Sequence, residues 1–178
     1  MKERYRAICI TIILGGLIIL ADQLTKQWVR ETIPLNTSYM PIPWLDRVVT
    51  LTHIENRGVA FGLLQGLGGT FALVAVLVVG GIGWYLWRYP HLPRVLPVVF
   101  GLMLGGAVGN LIDRLARDGA VTDFVDLRWW PVFNVADSCL VVGAVLLGVY
   151  TLFYEGRGEE SASDASSTEP GAGGADGA

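Results

Sequence analysis

The sequence predicts an all-α membrane protein with four transmembrane helices and a small extracytoplasmic β-sheet. Three observations predict it. Of 178 residues, 52% are hydrophobic and only 16% charged, against roughly a quarter charged in an average soluble domain. Four apolar stretches approach the ~20 residues that a helix needs to cross the hydrocarbon core. Between the first two, Arg47–Ile54 (RVVTLTHI) is β-branched and partly alternating, and Pro34, Pro41 and Pro43 punctuate the chain before it. That is the pattern of a short sheet resting on the membrane surface.

The first span is predicted at about Ala7–Leu24, apolar until Asp22. A basic start (Lys2, Arg4, Arg6) before an apolar run can mark a cleaved signal. No small-x-small site follows, and Ile8 precedes Cys9 where a lipid-attachment cysteine follows a small residue, so the run is expected to be retained. The second span comes from the charge-free run between Gly58 and Trp87; Gln65–Gly69 (QGLGG) predicts a loop first, leaving about Thr70–Trp87. The third covers about Val95–Ile112 and the fourth about Val135–Tyr154. Trp84, Trp87, Tyr89, Trp129 and Trp130 fall near span ends, where amphipathic rings favour the headgroup level. Residues 1–154 thus read as one membrane domain with an extracytoplasmic segment at about 27–57. Residues 155–178 are acidic and rich in Gly, Ser and Ala without apolar periodicity, which predicts a disordered tail. Cys9 and Cys139 lie inside apolar runs and are expected to be small buried hydrophobes, not a disulfide or metal site.

Four spans put both termini on one side. The termini and the 88–94 turn hold Lys2, Arg4, Arg6, Arg88, Arg94 and Arg157; the opposite side holds Lys26, Arg30, Arg47, Arg57, Arg114, Arg117 and Arg128. The raw count does not choose a side. Density favours cytoplasmic termini, because three bases crowd the first six residues while the opposite loops mix in acids. Within the third span, Gly101, Gly105 and Gly109 recur every four residues beside Gly106 and Ala107, a small-residue face for close helix packing.

Ionisable groups at membrane depth are costly, so each needs a reason. Topology brings many of them to one end. Asp22 and Lys26 close the first span on one helix face; Asn56 precedes the second; Asn110, Asp113 and Arg114 end the third. Asp123 and Asp126 follow in what reads as a loop, and Asn134 and Asp137 open the fourth span. Taken singly, most have a structural reading. Asn134 can cap the fourth helix, with Asp137 favouring its dipole. Asp22 with Lys26, and Asp113 with Arg114, can be structural ion pairs, and Asp126 a solvated loop charge. His53 and His91 stand alone without ligand spacing, so no metal is expected. The set as a whole points to chemistry. Two close carboxylates in a low-dielectric setting share a proton. One can then activate a water while the other polarises a carbonyl, which is acid–base hydrolysis of an amide. Asp123 and Asp137 form the best pair, with Asn56, Asn110 and Asn134 able to orient a peptide backbone.

The strings Asp22–Lys26 (DQLTK), Asn56–Gly62 (NRGVAFG), Gly105–Arg114 (GGAVGNLIDR), Val121–Phe124 (VTDF) and Phe133–Asp137 (FNVAD) together resemble lipoprotein signal peptidase (signal peptidase II), the bacterial membrane aspartyl peptidase family. The resemblance runs from about residue 8 to 153 and implies that Asp123 and Asp137 are catalytic. It implies that Asn56, Asn110, Arg114 and Asn134 line the substrate cleft, and that Asp22, Lys26 and Asp113 support the site. It further implies cleavage of a diacylglyceryl-modified prolipoprotein just before the lipidated cysteine, at the outer side of the cytoplasmic membrane, with both termini cytoplasmic. No cofactor is expected. The expected partners are the lipidated prolipoprotein and the phospholipid bilayer, with no nucleic acid, and the chain is expected to be monomeric. Thr122 is a departure, since the family commonly has Val there. Three other readings stay in view. A proton-relaying transporter would track its charges through the bilayer and show an inverted repeat. An assembly protein held by its glycine face would leave Asp123 and Asp137 without a shared purpose. A Ser/Lys peptidase would need Lys26 near a serine such as Ser138.

Overall fold

The computed structural model describes residues 2–40, 42–57 and 68–155. Its four long helices are α1 (Lys2–Thr32), α2 (Gly68–Arg88), α3 (Val95–Ala116) and α4 (Val135–Tyr150). All four are long and apolar enough to cross a membrane, α4 doing so together with the following turn as Val135–Phe153. The three strands, β1 (Ser38–Tyr39), β2 (Thr50–Asn56) and β3 (Val121–Asp126), form one antiparallel sheet in that order. The expected fold class is therefore the observed one. The chain comprises two compact units, 1–144 and 145–178. In the second, the described residues are the end of α4 and a short π-helical turn, Thr151–Glu155. The expectation of a disordered tail falls almost wholly outside the described residues.

α1 and α3 form the centre of the first unit. The buried positions of α1 are Ala7, Thr11, Gly15, Ile18, Asp22, Lys26 and Val29, spaced by three or four, so a single stripe faces inward. Its members up to Ile18 are small or apolar, Asp22 and Lys26 are charged, and Val29 closes it. The stripe meets the glycine face of α3. A Cβ at Gly101 or Gly105 would come within 2.9 Å of Leu14 or 2.6 Å of Ile18, and one at Gly109 within 2.8 Å of Asp22 Oδ2. On the other side, Gly106 faces the Ala136 carbonyl of α4. Small residues thus bring three helices close enough for short polar side chains to meet between them.

Three expectations need correction. α1 runs on to Thr32, well past the predicted end at Leu24, because its inward stripe continues through Lys26 and Val29. Segment 27–57 therefore begins as helix, and its sheet proper starts at Ser38. Asp123 does not sit in a loop: Val121–Asp126 is the third strand, paired with β2 at Ile54↔Asp123 and Asn56↔Val121. Cys9 is exposed and Cys139 half-buried, since a small apolar side chain gains as much from facing lipid tails as from a protein interior. The predicted loop at Gln65–Gly69 lies outside the described residues through 67, and α2 is already helical at Gly68.

The sheet is fixed to the helices by a small apolar plug. Val29 and Ile33 pack on Phe124, flanked by Leu51, Val125 and Val135. Backbone bonds then tie the start of α4 to β3: Phe133 N–H donates to Val125 O (3.1 Å), and Phe124 and Val125 N–H both donate to Phe133 O (3.0 and 2.7 Å). The residue after Phe133 is Asn134, so this clamp sets where the fourth helix begins.

Candidate active site

The end of α1 away from its N-terminus, the end of α3, strand β3 and the start of α4 converge on one polar cluster. Asp123 lies at its centre, 2% exposed. Its Oδ1 accepts from Asn134 Nδ2 (2.7 Å) and its Oδ2 from Asn56 Nδ2 (2.9 Å). Asp137 is less buried, and its Oδ1 accepts from Asn110 Nδ2 (2.7 Å). The two asparagines are joined, Asn134 Nδ2 donating to Asn110 Oδ1 (3.1 Å). A continuous path of side-chain amides thus links one carboxylate to the other.

Asn134 has a second role, the one its position predicts. Its Oδ1 accepts the Asp137 N–H (2.9 Å), while Asp137 Oδ2 accepts the Asn134 N–H (3.2 Å). This reciprocal pair is a capping box at the start of α4. Capping and carboxylate-holding are therefore not rival explanations. The helix cap fixes the rotamer that aims the amide at Asp123.

Lys26, 0% exposed, ends between three partners: Asp22 Oδ2 at 2.8 Å, Asn110 Oδ1 at 2.9 Å and Asp113 Oδ2 at 3.6 Å. Asp22 also accepts the Ala136 N–H (3.0 Å), holding the first turn of α4 against α1. Asp113 accepts the backbone N–H of Thr122 (2.9 Å), the residue before Asp123. The supporting acids thus anchor the two segments that carry the carboxylate pair. Asp113 and Arg114 do not pair with each other. Arg114 Nη1 donates to the Asn110 carbonyl (3.3 Å), its guanidinium lies 5.4 Å from the Phe71 ring centre, and its charge acts on Asp137, Asp123 and Asp113. Nor is Asp126 a solvated loop charge: it accepts the Thr52 hydroxyl (2.9 Å) and the Arg128 N–H (2.8 Å) at the end of β3.

Electrostatics act strongly on Asp123. Burial, and next the facing Asp137 carboxylate, push the Asp123 carboxyl up to about 7 against the opposing pull of the Asn56 and Asn134 donors. Asp123 therefore retains a proton near neutrality, the condition for a carboxylic acid to polarise a carbonyl. A Ser/Lys arrangement finds no support, since the Ser138 hydroxyl is bonded to the Asn134 carbonyl (3.0 Å) and Lys26 to the acids of α1 and α3. His53 bonds the Ile33 carbonyl and His91 the Glu3 carboxylate. Among the described residues, no three His, Cys, Asp or Glu side chains could hold a metal ion.

Two contributors were not singled out from sequence. Gln23 Nε2 bridges Asp22 (3.1 Å), the Gly109 carbonyl (3.1 Å) and Asp113 (3.3 Å). Arg30 donates to the Thr122 hydroxyl (3.2 Å) and lies 3.8 Å from Asp113. Arg30 stands one turn beyond Lys26 on the same face, a spacing that could have revealed it. The Thr122 hydroxyl gives that guanidinium an acceptor.

The family described as Signal peptidase (SPase) II matches residues 14–153. The chain belongs to the signal peptidase II family. Lipoprotein signal peptidases of Bacillus subtilis (strain 168) and Clostridioides difficile (strain 630) are 43% and 44% identical to it, over 79% and 84% of this chain and 92% and 97% of theirs. Two solved bacterial membrane enzyme structures, determined by the in meso method at 2.3 and 1.9 Å, superpose with TM-scores of 0.72 at 28% identity. They cover 80% and 81% of this chain, and this chain covers 87% and 93% of them. Membership makes this chain a multi-pass membrane peptidase, and the match spans all four helices and the polar cluster.

Proposed function

We propose that the chain is an aspartyl endopeptidase that removes signal peptides from diacylglyceryl-modified prolipoproteins, hydrolysing the bond before the lipidated cysteine. The observation that carries this reading is the amide bridge from Asp123 through Asn134 and Asn110 to Asp137. In the proposed reaction, ionised Asp137 takes a proton from water as its oxygen attacks the scissile carbonyl carbon. Asp123 gives its proton to the carbonyl oxygen, producing a gem-diol. Collapse returns one hydroxyl proton to Asp123, Asp137 passes its proton to the leaving nitrogen, and the C–N bond breaks. Asn56 and Arg114, at the edges of the pair, are proposed to hold the substrate backbone and oppose the developing negative charge.

The site is proposed to face the extracytoplasmic side, with the termini cytoplasmic. Basic residues near the N-terminus support this, and so do the contacts of that end: Glu3 pairs with His91, and the Arg4 guanidinium lies over Trp87. These contacts gather the α2–α3 turn at the end of α1 remote from the polar cluster. A monomer is supported by the glycine face of α3, which is used on both sides within one chain.

The test is processing of a lipidated precursor by purified enzyme in vesicles. Asp123→Asn and Asp137→Asn should each abolish cleavage while melting like the parent. A precursor lacking the diacylglyceryl group should persist. Substantial cleavage by either mutant would overturn the pair assignment, and equal cleavage of the unlipidated precursor would overturn the substrate.

A further inference from the structure

Lys26 bonds neither carboxylate of the pair, although its charge is felt at Asp123, and it is wholly buried at the edge of the amide path. An asparagine side chain has two faces of nearly equal shape, and which one points where is set by its partners. A lysine ammonium can only donate. The side of Asn110 that meets Lys26 Nζ at 2.9 Å must therefore be the oxygen. Its nitrogen is then obliged to face Asp137, and its oxygen also receives Asn134 Nδ2, whose position the α4 cap has fixed. We infer that Lys26 is a positioning residue: by donating to Asn110 it locks and polarises that amide, so that Asp137 faces a hydrogen-bond donor and serves as the base.

The inference rests on the carboxylate-pair reading and extends it to the question of which acid does what. A carboxylate facing an N–H is favoured in its ionised form, and one facing a carbonyl in its protonated form. Hydrogen bonds in series strengthen one another, and a charged donor at the head of the series strengthens the next bond. The charged groups around this path are Asp22, Lys26 and Arg30 from α1, Asp113 and Arg114 from α3, Asp123 from β3 and Asp137 from α4. Asp22 and Asp113 balance Lys26, and Arg114 acts on both members of the pair. Among the described residues, Lys26 is the basic side chain that bonds the Asn110 side-chain amide, which in turn donates to Asp137; Arg114 bonds the Asn110 backbone carbonyl.

Removing Lys26 alone would strand Asp22, so the comparison uses two charge-balanced variants, Asp22→Asn/Lys26→Met and Asp22→Asn/Lys26→Gln. They share size, neutrality and the lost ion pair; only Gln can donate to Asn110. The Gln variant should exceed the Met variant in kcat severalfold, the scale of one neutral hydrogen bond, with similar KM. The acidic limb of the pH–rate profile should move to higher pH in the Met variant and return towards the parent in the Gln variant. Equal kcat in the two variants, a difference confined to KM, or unmoved limbs would overturn the inference. Should both variants melt far below the parent, Asn110→Leu, which deletes the amide and leaves the ion pair, should show the same raised acidic limb; an unmoved limb there would overturn it too. Activity surviving in Asp137→Asn would instead overturn the underlying pair assignment, so the two failures are distinguishable.

Discussion

Asn134 holds Asp123 with one end of its side chain and caps α4 for Asp137 with the other. The helix start and the position of Asp123 are therefore set by a single rotamer. Ser can cap but cannot reach Asp123. Asn134→Ser keeps the cap but takes a buried donor from Asp123 and Asn110, and should cost about 1–3 kcal/mol in stability. It should nevertheless lower kcat at least about tenfold, the scale of one hydrogen bond to a charged group. Thermal melts beside single-turnover cleavage separate the two effects.

The raised Asp123 carboxyl predicts a pH signature. In the proposed reaction Asp123 acts in its protonated form, so the rate should fall as pH rises through about 7. Asn56 opposes that rise by donating to the ionised form, so Asn56→Ala should move the alkaline limb upward. Stability follows the same sign. Between the ordinary 3.8 and about 7 the folded chain holds a proton that the unfolded chain has released, so this group's contribution diminishes as pH rises through that window. Melting temperature against pH, in the parent and in Asp123→Asn, checks it.

Gly109 is the point where α3 passes Asp22 most closely, with room for hydrogen only. Gly109→Ala should force the Asp22 carboxylate away from Lys26 and from the Ala136 N–H. Overpacking of this kind costs about 1–3 kcal/mol, and activity should fall with it. Gly16→Ala, at a position with nothing within 4 Å, is the matched control and should be silent in both assays.

Asp126→Ala removes acceptors for Thr52 and Arg128 at the sheet edge and leaves the bonds to Asp123 intact. Cleavage should drop by less than about tenfold, as expected when a hydrogen bond away from the reacting atoms is lost. A null Asp126→Ala enzyme that still folds would mean that the wrong strand carboxylate was assigned the chemistry.

Hydropathy made the four spans legible, because membrane helices must be continuously apolar over a known length. It ended α1 too early for the same reason. Hydropathy counts Lys26 as a boundary, whereas the fold buries it by supplying Asp22, Asp113 and Asn110. β3 was missed because Val121–Phe124 is buried on both faces, which erases the alternation that marks a surface strand. Eight of the nine candidate site residues are joined in one network of side-chain bonds, and the ninth, Arg114, meets it through the Asn110 carbonyl. Gln23 was invisible for a different reason: its role depends on a bare Gly109 carbonyl, and no side-chain pattern advertises a backbone acceptor.

The clamp of Phe133 on β3 has a consequence for how the site fails. Asp123 and Asp137 belong to one short stretch of chain that backbone bonds close upon itself, and short closures are the cheapest contacts to form and to keep. Asn134 is their one local donor; the others come from afar, Asn110 from α3 and Asn56 from β2, and Lys26 of α1 holds Asn110 in turn. Any loosening between α1 and α3 strips the donors before it parts the acids. Heat, or a lipid of the wrong thickness, should therefore leave two neighbouring carboxyls that have lost their division of labour. Inactivation would run ahead of unfolding.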